Sequence, residues 1–330
     1  MRTAICRVIA TIALLFGLPA AAHGQAPPLP TVPRAQYDQW FDQVKNWGRW
    51  GANDSLGTLN LITPEIRRRA AASVRAGISV SLARDILHDS SLNDAQPMRY
   101  DLNSQPDSLV TWNGERFTIA FHGFNNSHLD WLPHTSYRDV VYGGLPRSIV
   151  QAGGAEHRGV EAAAAGIVTR GVLVDVPALK GVPYLEPGTA ITVADLEAWE
   201  RRTGVRIGTG DVLLVRTGRW AREKAVGTWR VAGNGAGLHP SVATWLHDRG
   251  VVAIGSDLVN DVMPSPVPGL FNPLHQLALV AMGMPCMDNL DFEAATAEAT
   301  RLNRWTFLFI AAPLRLKGFT GGPLNPLAVF

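Results

Sequence analysis

Four short apolar runs constrain this chain more than any other feature: Gly171 to Val176, Asp211 to Arg216, Val251 to Ile254 and Thr306 to Ala311. Each is apolar at nearly every position instead of alternating, so each predicts a strand covered on both faces. Helix signals lie between and around them. Thr63 and Pro64 predict a helix start, with its end at Gly77. Thr192 and Asp195 have capping-box spacing ahead of Leu196 to Arg202, and a third helix is expected from Pro240 to Asp248. An α/β class follows. Strand and helix do not alternate regularly, and the Gly- and Pro-rich stretches 143–154 and 263–273 read as long loops around a site, so a plain doubly wound sheet is not expected.

The N-terminus has the pattern of a secretory signal over residues 1–26. Arg2 and Arg7 precede an apolar run from Val8 to Ala22, and small residues follow. That run is shorter than the roughly 20 residues a spanning helix needs, so a periplasmic or secreted protein free of the membrane is expected. An N-terminal arm is expected over 27–45, Pro-rich over 27–34, and a single domain over 46–330. Without Arg2 and Arg7 the basic and acidic side chains balance, which argues against a nucleic-acid partner. Cys6 and Cys286 are the two cysteines. Because Cys6 lies in the leader, no internal disulfide is expected, and Cys286 reads as a buried small hydrophobe.

The densest group of metal-competent side chains is the segment 122–134, which holds His122, His128, Asp130 and His134. On an extended stretch, residues two apart share a face, so His128 and Asp130 can bind one ion side by side. Nitrogen and oxygen donors together suit a borderline or hard divalent ion, zinc or manganese. His88, His157, His239 and His247 read as ordinary surface or core residues. The chain has no G-x-S-x-G elbow, H-E-x-x-H or Walker sequence, and Gly233-Asn-Gly235-Ala-Gly237 lacks dinucleotide spacing.

Ser127-His128-Leu-Asp130 followed by Pro133-His134 resembles the H-x-G-T-H-x-D-x-P-x-H motif of the cyclase family, which includes kynurenine formamidases, isatin hydrolases and zinc-dependent dienelactone hydrolases. Asn46-Trp-Gly-Arg-Trp-Gly51, Gly57-Thr-Leu-Asn60, Arg170 to Asp175, Gly210 to Gly218 and Gly255-Ser-Asp257 resemble further blocks of its longer members. The resemblance implies a swivelling β/α fold with a mixed, barrel-like sheet, assembled as dimers or tetramers. It implies His128 and Asp130 as metal ligands and His134 as general base and acid. Four residues before His128, where the motif has its first His, stands Phe124. Either the loop carries a two-residue insertion and His122 takes that role, or the ligand is missing. The family's later His and Glu correspond to His275 and Asp288, and Asp288 is one methylene shorter. It is expected either at the metal or orienting a ligand, with one or two ions bound.

The expected reaction is hydrolysis of a small amide, cyclic amide or lactone by metal-activated water. The competing reading is a periplasmic metal-dependent protein that captures a small molecule without turning it over. Trp47, Arg49, Trp50, Asn60 and Trp131 are candidates for lining the substrate entrance, with core packing as the alternative for the N-terminal group.

Overall fold

The computed structural model describes residues 29–155 and 158–330. The expected signal therefore lies outside the described residues. The body is built on one mixed sheet of nine strands: β1 (Ser79–Ser81), β2 (His128–Asp130), β3 (Ile167–Asp175), β4 (Val212–Arg216), β5 (Ala253–Ser256), β6 (Cys286–Asp288), β7 (Thr306–Ala311), β8 (Gly321–Pro323) and β9 (Leu327–Val329). Its spatial order is β1-β9-β7-β3-β4-β5-β6-β2-β8. The central strands β3, β4, β5 and β6 are parallel, with antiparallel strands added on both sides. The sheet curls into a half-barrel, the mixed barrel-like architecture the resemblance implied.

Both faces of the sheet are covered, which explains the unbroken apolar runs. Along β3 and β4, Val172, Val174, Leu213 and Val215 point into one core, whereas Leu173, Val212 and Leu214 point into the other. The first core is closed by α3 (Val193–Thr203), through Leu196 and Trp199, and by α5 (Val242–Arg249), through Val242, Ala243 and Leu246. The second is closed by α6 (Glu293–Leu302), through Ala295 and Ala299, and by Phe307, Phe309 and Phe330. Burying one large aliphatic or aromatic side chain contributes about 1.5–3 kcal/mol, so these two layers dominate stability.

Local signals account for most element ends. Thr63 caps α2 (Pro64–Ala72), its hydroxyl accepting from the Ile66 amide, and Thr192 with Asp195 forms the expected capping box of α3. The helix α2 stops at Ala72 and does not reach Gly77, because the amides of Ala76 and Gly77 both donate to the Phe330 carbonyl. The segment expected as an arm carries α1 (Arg34–Gln43), whose Tyr37 and Phe41 are buried against the first core. A helical stretch, 273–282, starts at the end of the expected loop 263–273 and is wound as a π-helix from Gln276. It is buried on every side over 277–282, which removes the periodicity that would reveal it. A hairpin of Arg99–Pro106 and Thr111–Thr118 stands out from the body with all its residues exposed.

Asp257, fully buried just past β5, is a turn residue. Its carboxylate accepts from the Thr217 amide and hydroxyl and from the Gly218 and Arg219 amides, holding the turn that leads from β4 into α4 (Arg219–Val226). Asp257→Ala leaves those buried donors without partners and is expected to destabilise the fold by about 3 kcal/mol or more. Urea unfolding measures this, and a loss below about 1 kcal/mol would contradict the assigned role.

Candidate metal centre

Strand β2 is inserted between β6 and β8, and the register sets the site. Asp288 lies opposite His128, and Cys286 opposite Asp130; on the other side Gly321 lies opposite Asp130. Leu129 points into the second core with Trp131. By alternation, His128 and Asp130 face the first core, where the 273–282 helix brings His275.

Asp130 is the hub. Its Oδ1 lies 2.8 Å from His122 Nδ1, 3.4 Å from His128 Nε2 and 3.7 Å from His134 Nε2. Its Oδ2 lies 3.3 Å from His275 Nε2, which is also 3.3 Å from Asp288 Oδ2. Two overlapping triads result, His122–Asp130–His134 and His128–Asp130–Asp288, with the donor atoms of each triad within 4.8 Å of one another. His122 Nδ1 and Asp130 Oδ1 are buried and close, yet are not aligned as a hydrogen bond, and neither atom makes a hydrogen bond to any other described residue. Two lone-pair atoms aimed at a common point fit a cation between them. The donor set, imidazole nitrogens with carboxylate oxygens, suits a borderline or hard divalent ion.

The structure brings His122 to this cluster and sends Phe124 elsewhere. Phe124 packs beside Leu258, Val259 and Met263, and its carbonyl accepts from the Arg219 guanidinium. Room for His122 depends on Gly321, where a Cβ would come within 2.9 Å of the His122 ring and 2.2 Å of the Leu129 carbonyl. His134 stacks on His122, with ring centroids 3.9 Å apart, and opens on a cleft of about 380 Å³ also lined by Ser136, Arg147 and Val150.

Behind the cluster lies a set of orienting groups that sequence reading missed. Asp261 accepts from His275 Nδ1 at 2.6 Å and from the Leu274 amide. His128 Nδ1 is 2.8 Å from the Asn126 carbonyl. These partners assign the proton to Nδ1 of both rings and leave Nε2 free for an ion. Asn260 donates from its side-chain amide to Asp288 Oδ1 at 2.7 Å. Asn289 donates to the Gly123 and Asn126 carbonyls and accepts from Arg219, which anchors the loop between His122 and His128. The nearest sequence signal for Asp261 was its place just after an apolar strand, and it had no motif of its own.

Electrostatics follow from burial and from these pairs. Burial alone would raise Asp130, but the imidazoles close to it, His128 first and then His122 and His134, hold its carboxyl well below the usual range. Burial would lower His128 and His275, yet the carboxylates around them outweigh it and raise both, His275 strongly. His134 is different. Burial, joined by the neighbouring imidazoles, pushes it down to about 4 against the pull of Asp130, so it is neutral at pH 7.

The other candidates are held by contacts within the protein. Trp47 donates to the Val280 carbonyl, and Arg49 donates to Asn46 and lies over Trp50. Asn60 donates to Asp54 and to the Gly57 carbonyl, and Trp131 is fully buried in the second core. None of these five lines the cleft beside His134. His239 and His247 pair with Ser241 and Asp248, apart from the cluster.

The Cyclase family model matches residues 70–260. A crystal structure described as a novel cyclase superposes with a TM-score of 0.78 at 26% identity, covering 88% of this chain and 99% of that one. Isatin hydrolase A from Ralstonia solanacearum gives 0.53 at 22% identity, with 81% and 97% covered. An isatin hydrolase bound to the product analogue thioisatinate gives 0.52 at 18%, with 76% and 92% covered. No curated protein matches.

Gly321→Ala tests the packing of the centre. It is expected to displace His122 and weaken divalent-ion binding about tenfold or more, as losses of groups that position ligands do; unchanged affinity by calorimetry would contradict the placement. Ion affinity should also fall as pH is lowered through the range above the ordinary imidazole value, where His128 and His275 take up protons that a cation must displace. Affinity independent of pH in that window would contradict the assigned protonation.

Proposed function

Because the chain belongs to the cyclase family, we propose that it is a metal-dependent hydrolase whose divalent ion is held by His122, His128, Asp130, His275 and Asp288. The observation that carries this reading is the convergence of imidazole nitrogens and carboxylate oxygens on Asp130, with buried donor atoms left unpartnered. When bound, the ion supplies Lewis acidity, polarising a carbonyl group and lowering the pKa of water from about 15.7 towards 7.

The chain's own residues supply positioning and proton transfer. Asp261 and the Asn126 carbonyl hold the His275 and His128 rings with Nε2 toward the ion site. His134 is neutral at pH 7 and its Nε2 lies 3.7 Å from Asp130 Oδ1, beside the ion site, so it can accept a proton from the attacking water and return it to the leaving nitrogen or oxygen. Stacking on His122 limits its rotation. The substrate class we infer is a small amide, cyclic amide or lactone, a size the cleft beside His134 admits. Zinc or manganese suits the donor set. Export and assembly as a dimer or tetramer belong to the same proposal.

His134→Ala is expected to retain the metal and lose about 10²–10⁴-fold in turnover, whereas His128→Ala and Asp130→Ala lose both. An amide and lactone hydrolysis screen, with metal analysis of each variant, checks this. Equal metal loss in all three would make His134 a ligand. A metal-loaded protein that binds such compounds and returns them unchanged would favour non-catalytic capture.

A further inference from the structure

A cavity of about 970 Å³ lies away from the metal centre. It lies beside Arg170 early in β3 and residues 208–211 leading into β4, whereas Asp261 and Asp288 sit at or beyond the carboxyl ends of β5 and β6. Among the described residues its lining contains five arginines, Arg69, Arg75, Arg170, Arg206 and Arg304, and one carboxylate, Asp211.

That single carboxylate is already engaged. Arg170 grips Asp211 in a two-pronged pair at 2.7 and 2.6 Å, and the Gly208 amide donates to the same group. Arg206 approaches Glu200 only at 4.0 Å, and Glu200 is itself held by Arg249 at 3.0 Å. Arg304 donates to the Ser73 carbonyl, a neutral acceptor. Arg69 and Arg75 have no hydrogen-bonded or ion-pair partner among the described residues. Burial and the charge of Arg75 push the Arg304 guanidinium down from its ordinary value, so the two cations are close enough to repel. Five like charges gathered in a concave site around a single carboxylate, which also feels the charge of Arg69, are relieved by an anion, and the planar guanidinium fork matches oxyanions and carboxylates with paired hydrogen bonds.

We propose that this cleft is a binding site for a small, multiply charged anion, a phosphate- or sulfate-bearing or polycarboxylate compound, separate from the metal centre. The volume falls in the range of small-molecule sites, about 300–1,000 Å³, and its concave form favours such a ligand over an extended polyanion. The proposal is independent of the hydrolase reading.

Calorimetry of the full chain against inorganic phosphate, sulfate and tricarballylate, at ionic strength held constant with chloride, tests it. Saturable binding of at least one probe is expected, and which probe binds separates oxyanion from polycarboxylate recognition. Arg69→Ala and Arg75→Ala, chosen because neither side chain holds the fold together, should each weaken it about tenfold or more, as loss of a charge-assisted contact does, with metal content unchanged. Absence of saturable binding by all three probes, or equal affinity in both variants, would overturn the assignment.

Discussion

A carboxylate buried within a protein needs opposite charge near it, since taking it out of water costs several kcal/mol that only close partners offset. Asp130 is such a group, 3% exposed and approached by four imidazoles, two of which carry raised proton affinity. The rest of the site depends on this demand. The raised proton affinity of His128 and His275 reflects it, and a divalent cation would meet it with its charge concentrated at one point. The sheet supplies the rigidity, because β2 is hydrogen-bonded on both sides and cannot shift by one residue without turning Asp130 into the apolar core that Leu129 occupies.

Rigidity also comes from groups that never face the cleft. Asp261 fixes His275, Asn260 fixes Asp288, and Asn289 with Arg219 fixes the backbone between His122 and His128. Burial of Arg219 lowers its pKa to about 10, still far above neutrality, so it remains a cation holding that loop. His122 has only the Thr320 hydroxyl, 3.5 Å from its Nε2, and the ring of His134, which lines the cleft and stays neutral at pH 7, has no hydrogen-bond partner among the described residues. Fixed rings suit ligands, and a neutral ring at the opening suits a proton acceptor.

Much of this was legible in the sequence for identifiable physical reasons. The doubly buried strands announced themselves as unbroken apolar runs, and Thr63 and Thr192 marked helix starts by side-chain chemistry that acts locally. The pair His128 and Asp130 followed from the two-residue period of a strand. The place of His122 stayed open between two alternatives in the sequence, because whether the chain between it and His128 loops out depends on Arg219, Asn289 and Gly321, which are distant in sequence. Asp261 and the all-apolar helix after His275 were hidden likewise: one has meaning only through its partner, and the other has no amphipathic period. For Trp47, Arg49 and Asn60 the sequence left ligand contact and packing as alternatives, because their hydrogen bonds to Val280, Asn46 and Asp54 appear only in the folded chain.

The most direct test is the metal itself. Purified protein incubated with zinc or manganese and then freed of excess ion should retain divalent metal in stoichiometric amount by elemental analysis. Asp130→Asn, which keeps the shape and removes the charge, should retain almost none while remaining folded. A parent chain that holds no divalent ion, or an Asp130→Asn variant that holds as much as the parent, would contradict the account.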